Sequence, residues 1–113
     1  MAAKVIKFND GKDTYELTFT RESAEATERM GFQLTEYLEG INLLKNSKAL
    51  FYGSFMARNR GIKRKVVDDM FTRINDKEGL MVALAEAFSD SVKALIASPD
   101  DGDSAKNATW EIV

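Results

Sequence analysis

One short stretch near the start most limits what this chain can fold into. Val5-Ile6-Lys7-Phe8 and Thr14-Tyr15-Glu16-Leu17-Thr18-Phe19 flank Asn9-Asp10-Gly11-Lys12-Asp13. Asp-Gly between two β-rich runs predicts a hairpin, because glycine takes the positive φ that the turn needs. In the second run Tyr15, Leu17 and Phe19 face one way, and Thr14, Glu16 and Thr18 the other. Ile6 and Phe8 join the apolar face. Two strands alone are marginal in water. The rest of the chain must therefore cover this face.

The remaining residues read mainly at helical spacing. Thr20 is placed as an N-cap for a helix through Arg29 or Met30, with Ala24, Thr27 and Met30 inward and Gly31 as the stop. Thr35 to Glu39 suggests a short helix ended by Gly40. A longer one is expected from Ile41 or Ser47 to Arg60, with Leu43, Leu44, Leu50, Phe51 and Phe55 in phase. Ile62, Val66, Val67, Met70, Phe71 and Ile74 mark the next helix. The last runs from Lys77 to Ala97 on a stripe of Leu80, Met81, Leu84, Ala87, Phe88, Val92, Leu95 and Ile96. The predicted fold is α+β and mostly α: an N-terminal β-hairpin over 4–20, four or five helices over 21–98, and room for a short C-terminal strand. Residues 1–98 form the single globular domain. Residues 99–113 read as an acidic linker, Asp100-Asp101-Gly102-Asp103, and a β-like tail, Thr109-Trp110-Glu111-Ile112-Val113. The tail is expected to return as a third strand over the hairpin.

Composition narrows the chemistry. The 113 residues hold no Cys and no His. Disulfides, thiolate nucleophiles and Cys-type zinc sites are excluded, as is the commonest general base near neutral pH. No catalytic, cofactor-binding or metal-binding residue is assigned. Asp100-Asp101-Gly102-Asp103 lacks the twelfth-position Glu of a calcium loop. No stretch approaches the ~20 apolar residues of a membrane span. Met1-Ala2-Ala3-Lys4 leads into a strand with no apolar signal core, so a cytoplasmic protein is expected.

Two constellations stand out. The net charge of −2 hides unlike blocks. Residues 41–75 carry eight basic and two acidic side chains, and the block peaks at Arg58, Arg60, Lys63, Arg64 and Lys65. This candidate electrostatic patch suits phosphate or an acidic partner, although no aromatic stacking platform is interleaved. Seven Phe and five Met are the second feature. Core packing accounts for Phe55, Phe71 and Phe88, yet a small core is expected to leave some of this set outside. Met30, Phe32, Phe51, Phe55, Met56, Met70, Phe71 and Met81 are therefore the candidate surface for an apolar client or for self-association.

The order of features resembles a known family. Lys4-Val5-Ile6-Lys7-Phe8, Asp10-Gly11 and Tyr15-Glu16-Leu17-Thr18-Phe19-Thr20-Arg21-Glu22-Ser23 are similar to small proteins from tail-morphogenesis modules of phages and prophages of Gram-positive bacteria. Phe55-Met56-Ala57-Arg58-Asn59-Arg60-Gly61-Ile62-Lys63-Arg64-Lys65-Val66-Val67-Asp68 and Thr109-Trp110-Glu111-Ile112-Val113 extend the likeness over nearly the whole chain. The resemblance implies a tail assembly chaperone. Such a protein coats the tape-measure protein, hands it over as tail-tube subunits polymerise, and leaves before the virion is complete. It implies no catalytic residues and no cofactor. It implies action in the host cytoplasm, with the tape-measure protein and the tail-tube protein as partners and homo-oligomers as an option. A nucleic-acid-binding module using the 58–65 cluster and a minor structural tail protein are the alternatives.

Overall fold

The computed structural model describes residues 5–97, with side chains through Lys93. Strands β1 (Ile6–Asn9) and β2 (Thr14–Leu17) pair antiparallel, with Ile6 opposite Leu17 and Phe8 opposite Tyr15. Five helices come next: α1 (Arg21–Arg29), α2 (Leu34–Leu38), α3 (Leu43–Met56), α4 (Arg64–Thr72) and α5 (Lys77–Ala97). The fold is α+β and mostly helical, as the spacing predicts. The expected C-terminal strand lies outside the described residues.

Turn chemistry closes the hairpin. Gly11 sits at φ +97°, and its N–H donates to Asn9 Oδ1 at 2.7 Å. Asp10 Oδ1 accepts from the N–H groups of Asp13 and Lys12 at 2.7 and 2.9 Å. Those bonds, the Asp13 one foremost, hold the Asp10 carboxyl below the usual carboxylate range. Thr20 caps α1 in a reciprocal box with Ser23, whose hydroxyl accepts from the Thr20 N–H at 2.8 Å.

Helix α3 is the hub: it packs against α1, α2, α4, α5 and β2. Its Phe51 and Phe55 meet edge-on at 4.9 Å between ring centroids. Phe8 approaches Phe51 at 5.4 Å, Tyr15 approaches Phe55 at 5.3 Å, and Phe71 of α4 completes the group at 5.8 Å from Phe51. A second aromatic file runs Phe19–Phe88–Phe32–Tyr37, with centroids 5.3, 4.9 and 6.2 Å apart. The hairpin therefore finds its cover in the helices. The backbone continues the join, since Thr18 N–H donates to Ser54 O at 3.0 Å.

This packing corrects the expected client surface. Phe32, Phe51, Phe55, Met70, Phe71 and Met81 are all buried core residues, and Met30 and Met56 are half-buried. The core takes the Phe residues because two apolar layers, hairpin and α5, both close on α3. Leu43, Leu44 and Val66 depart from expectation the other way. They sit in phase with their helical stripes but are exposed.

Where α1 crosses α3, Gly53 faces Thr27, which is fully buried and donates its hydroxyl to Ser23 O at 2.7 Å. A Cβ at Gly53 would overlap that hydroxyl and come within 2.9 Å of the Thr27 Cβ. A stiff β-branched neighbour cannot step aside. In an open helix Gly→Ala gains about 1 kcal/mol. Here Gly53→Ala is expected to cost about 1–3 kcal/mol in urea unfolding. In a Thr27→Ala background the same change turns neutral or stabilising, and additive behaviour in that cycle would refute the contact.

Candidate functional site

The exposed apolar residues cluster where α2 hands over to α3. Leu38, Ile41, Leu43 and Leu44 are 70%, 47%, 50% and 62% exposed. They occupy one short segment, so the exposure forms a ridge rather than scattered positions. Leu38 also borders a groove of about 240 Å³ between α2 and α5, lined by Leu34, Tyr37, Leu38, Val82, Ala85, Glu86 and Ser89. Val82 is itself 52% exposed. Tyr37, the last ring of the second aromatic file, forms part of the wall; burial, with help from Glu78, raises its hydroxyl pKa.

A buried amide fixes this ridge. Asn46 has no exposed surface. Its Oδ1 accepts from the Gln33 N–H at 2.9 Å. Its Nδ2 donates to Ile41 O and Asn42 O, both at 3.1 Å, and to Glu36 Oε1 at 3.2 Å. One side chain thus ties the start of α2, its middle and the link into α3. The link itself turns through two left-handed residues, Gly40 at φ +77° and Asn42 at φ +50°, which Gly and Asn tolerate better than other residues. Lys45 Nζ lies 3.6 Å from Glu36 Oε1. The Asn46 amide is the main reason that the Glu36 carboxyl titrates below its usual range, with Asn42 and Lys45 contributing.

The basic cluster does not assemble as one patch. Arg58 Nη1 bonds Glu16 Oε1 of β2 at 2.8 Å. Arg64 reaches Asp68 at 3.4 Å and stacks over the Tyr52 ring at 5.1 Å. Arg60 points to a groove beside α1. Lys63, the N-cap of α4, and Lys65 are exposed. Two of the five residues of the sequence-predicted patch, Arg58 and Arg64, thus hold fold contacts. Its cations leave the α4 N-terminus without a side-chain cap.

Among the described residues no group of acidic side chains could hold a metal ion, and no helix is long and apolar enough to cross a membrane. One family profile, described as Domain of unknown function (DUF5055), matches residues 1–113. The chain belongs to that family. No curated protein and no solved structure matches it. In this DUF5055 chain the apolar ridge and the groove beside it are the features that the sequence pattern alone did not reveal. Asn46 carried a signal: it falls four residues before buried Leu50, in phase with the core stripe.

Two outcomes test the amide's role. Asn46→Ala strands the Gln33 N–H and the Ile41 carbonyl and is expected to cost about 1–3 kcal/mol. Its local signature is faster amide exchange over residues 33–46; uniform destabilisation would refute a local role. Glu36, with its pKa lowered by folding, contributes stability that is fully present above the ordinary Glu pKa and is lost as pH falls through the folded value. A carboxyl-carbon NMR titration should find its midpoint below that of an unfolded peptide and moved upward in Asn46→Ala.

Proposed function

We propose that this protein is a phage tail assembly chaperone that binds the tape-measure protein and keeps it soluble while the tail tube assembles. The observation that carries the reading is the exposed ridge of Leu38, Ile41, Leu43 and Leu44, continuous with the groove under Leu38 and Val82. It joins the resemblance over nearly the whole chain to tail-morphogenesis proteins. A holdase needs apolar contact area that folding does not consume, and no cofactor. Leucine side chains on a rigid turn supply it, and several copies along one extended client gain avidity without high affinity at each site. Action in the host cytoplasm, absence from the finished virion, contact with the tail-tube protein and the lack of a catalytic step belong to the same proposal. The nucleic-acid alternative loses support, because Arg58 and Arg64 are committed to Glu16 and Asp68.

Co-expression with the tape-measure protein tests the proposal. Leu38→Asp combined with Leu44→Asp should leave thermal stability within about 0.5 kcal/mol, since both sites are exposed. It should reduce recovery of soluble tape-measure protein by about tenfold or more. Unchanged recovery would overturn the proposed surface. Presence of the protein in purified virions would favour a structural tail component instead.

A further inference from the structure

The groove between α2 and α5 carries a charge pattern along one edge. On α5, Glu78, Val82 and Glu86 follow at four-residue steps and are all exposed, so they stand in one file. The two carboxylates lie about 12 Å apart along the axis. Neither takes part in an ion pair among the described residues. Glu86 lines the groove, and Glu78 is near enough to Tyr37 of its wall to help raise that hydroxyl's pKa. Among the described residues no Lys or Arg lines it. Lys77 is turned away, donating to Ile74 O at 3.2 Å and lying over the Phe71 ring. Lys45 is paired with Glu36. Lys93 is exposed one turn beyond Ser89. Phe32, which leads into α2, meets Phe88, while Tyr37 lies near Glu78, so α2 runs antiparallel to α5. The acidic end of the groove is therefore the end that opens toward the leucine ridge, and Lys93 stands at the other.

We propose that this groove takes one face of a basic amphipathic helix of another protein, with an apolar side chain flanked by Lys or Arg at four-residue steps. The inference rests on the client reading above and names the kind of client segment that the site selects. At about 240 Å³ the groove falls below the roughly 300–1,000 Å³ of small-molecule sites. It suits a few apolar side chains of a larger partner. Its two walls are helices and offer no strand edge, so an extended peptide finds no main-chain partners there. A helix satisfies its own backbone and presents side chains alone.

Ala85 and Ser89, one turn apart on α5, keep the floor low, so a second helix can approach closely. A cation–apolar–cation file on that helix meets Glu78, Val82 and Glu86 at the same spacing. A second copy of this chain fits the face poorly. A two-fold contact centred on Val82 sets the Glu78 and Glu86 carboxylates of the two copies against each other. Charge complementarity therefore selects a basic partner over self-association.

The test uses the full chain and three end-blocked peptides of about 20 residues, long enough to form helix alone. All share one leucine stripe. The first has Lys four residues to either side of the central Leu, the second has Glu there, and the third keeps the first one's composition with its Lys on the opposite face. Binding is read from the Val82 methyl and Ala85 amide NMR signals. The first peptide is expected to bind about three- to tenfold more tightly than the others at low salt, with the margin shrinking as salt rises. Glu78→Lys/Glu86→Lys should reverse the order of the first two peptides, and Glu78→Gln/Glu86→Gln should remove it. The Gln pair guards against a folding defect, since it adds no cation to the first turn of α5. Glu25→Lys/Glu28→Lys, the same charge change at exposed sites on α1, should leave the preference intact. Equal binding of the three peptides overturns the inference. So does a preference that survives the Gln pair, or a dimer of the free protein that Val82→Asp abolishes. Co-expression with the tape-measure protein separates this inference from the reading it rests on. Soluble recovery lost in both Glu78→Lys/Glu86→Lys and the Leu38/Leu44 variant supports both. Recovery lost in the leucine variant alone overturns the basic-helix inference and leaves the chaperone reading standing. The expected peptide preference, with recovery unaffected by either variant, overturns the chaperone reading and upholds the groove's selectivity.

Discussion

The structure depends on an edge-on pair of rings, Phe51 and Phe55, one turn apart on α3. A lone hairpin does not hold its own shape in water. Here Phe8 of β1 and Tyr15 of β2 both close on that pair. Phe71 meets it from α4. The rings also set the strand register, because a slip of one residue would turn Phe8 and Tyr15 away from them. Each ring removes a large apolar area from water and adds a favourable edge-to-face contact. The aromatic content that looked excessive in the sequence is thus consumed in holding two strands onto five helices.

Charged and polar groups complete the same join. Arg58 reaches Glu16 on β2, and Asn59 Nδ2 donates to Glu16 O at 3.1 Å. Arg73 Nη1 donates to Asp10 O at 3.1 Å, so α4 grips the hairpin turn. These contacts are exposed and individually small. They fix orientation more than they add stability. They also explain why a run of cations in the sequence need not be a ligand site: two of its arginines already have carboxylate partners within the fold.

The elements were legible wherever local chemistry specifies them. Asp10-Gly11 gave the turn, Thr20 the cap of α1, Gly31 and Gly40 the helix stops, and the stripe through Leu84 and Phe88 the last helix. Exposure was less legible. Leu43 and Leu44 share helical phase with Leu50 and Phe51, yet they fall on the first turn of α3, beyond the layer that α1 and α5 cover. Periodicity reports which residues share a face; it does not report how far along the helix a neighbour extends. The groove beside α1, lined by Arg21, Arg29 and Arg60 among others, was invisible for a related reason. Residues 58–65 group together in the sequence because they are adjacent, while the structure sets Arg60 beside Arg21 and Arg29, which belong to a different helix far back in the chain.

The two surfaces lie at opposite ends of α3. The leucine ridge sits at its first turn, and Met56, which lines the groove beside α1, at its last. Fourteen helical residues separate them by about 20 Å. Between those ends α3 is held to its neighbours at two places, by the close approach of Gly53 to Thr27 of α1 and by the Asn46 amide at the ridge. The same two contacts explain why the leucines stay outside while the next turns of α3 are buried: the polar amide of Asn46 gives its bonds to the α2–α3 link, and the apolar packing begins at Ala49 and Leu50.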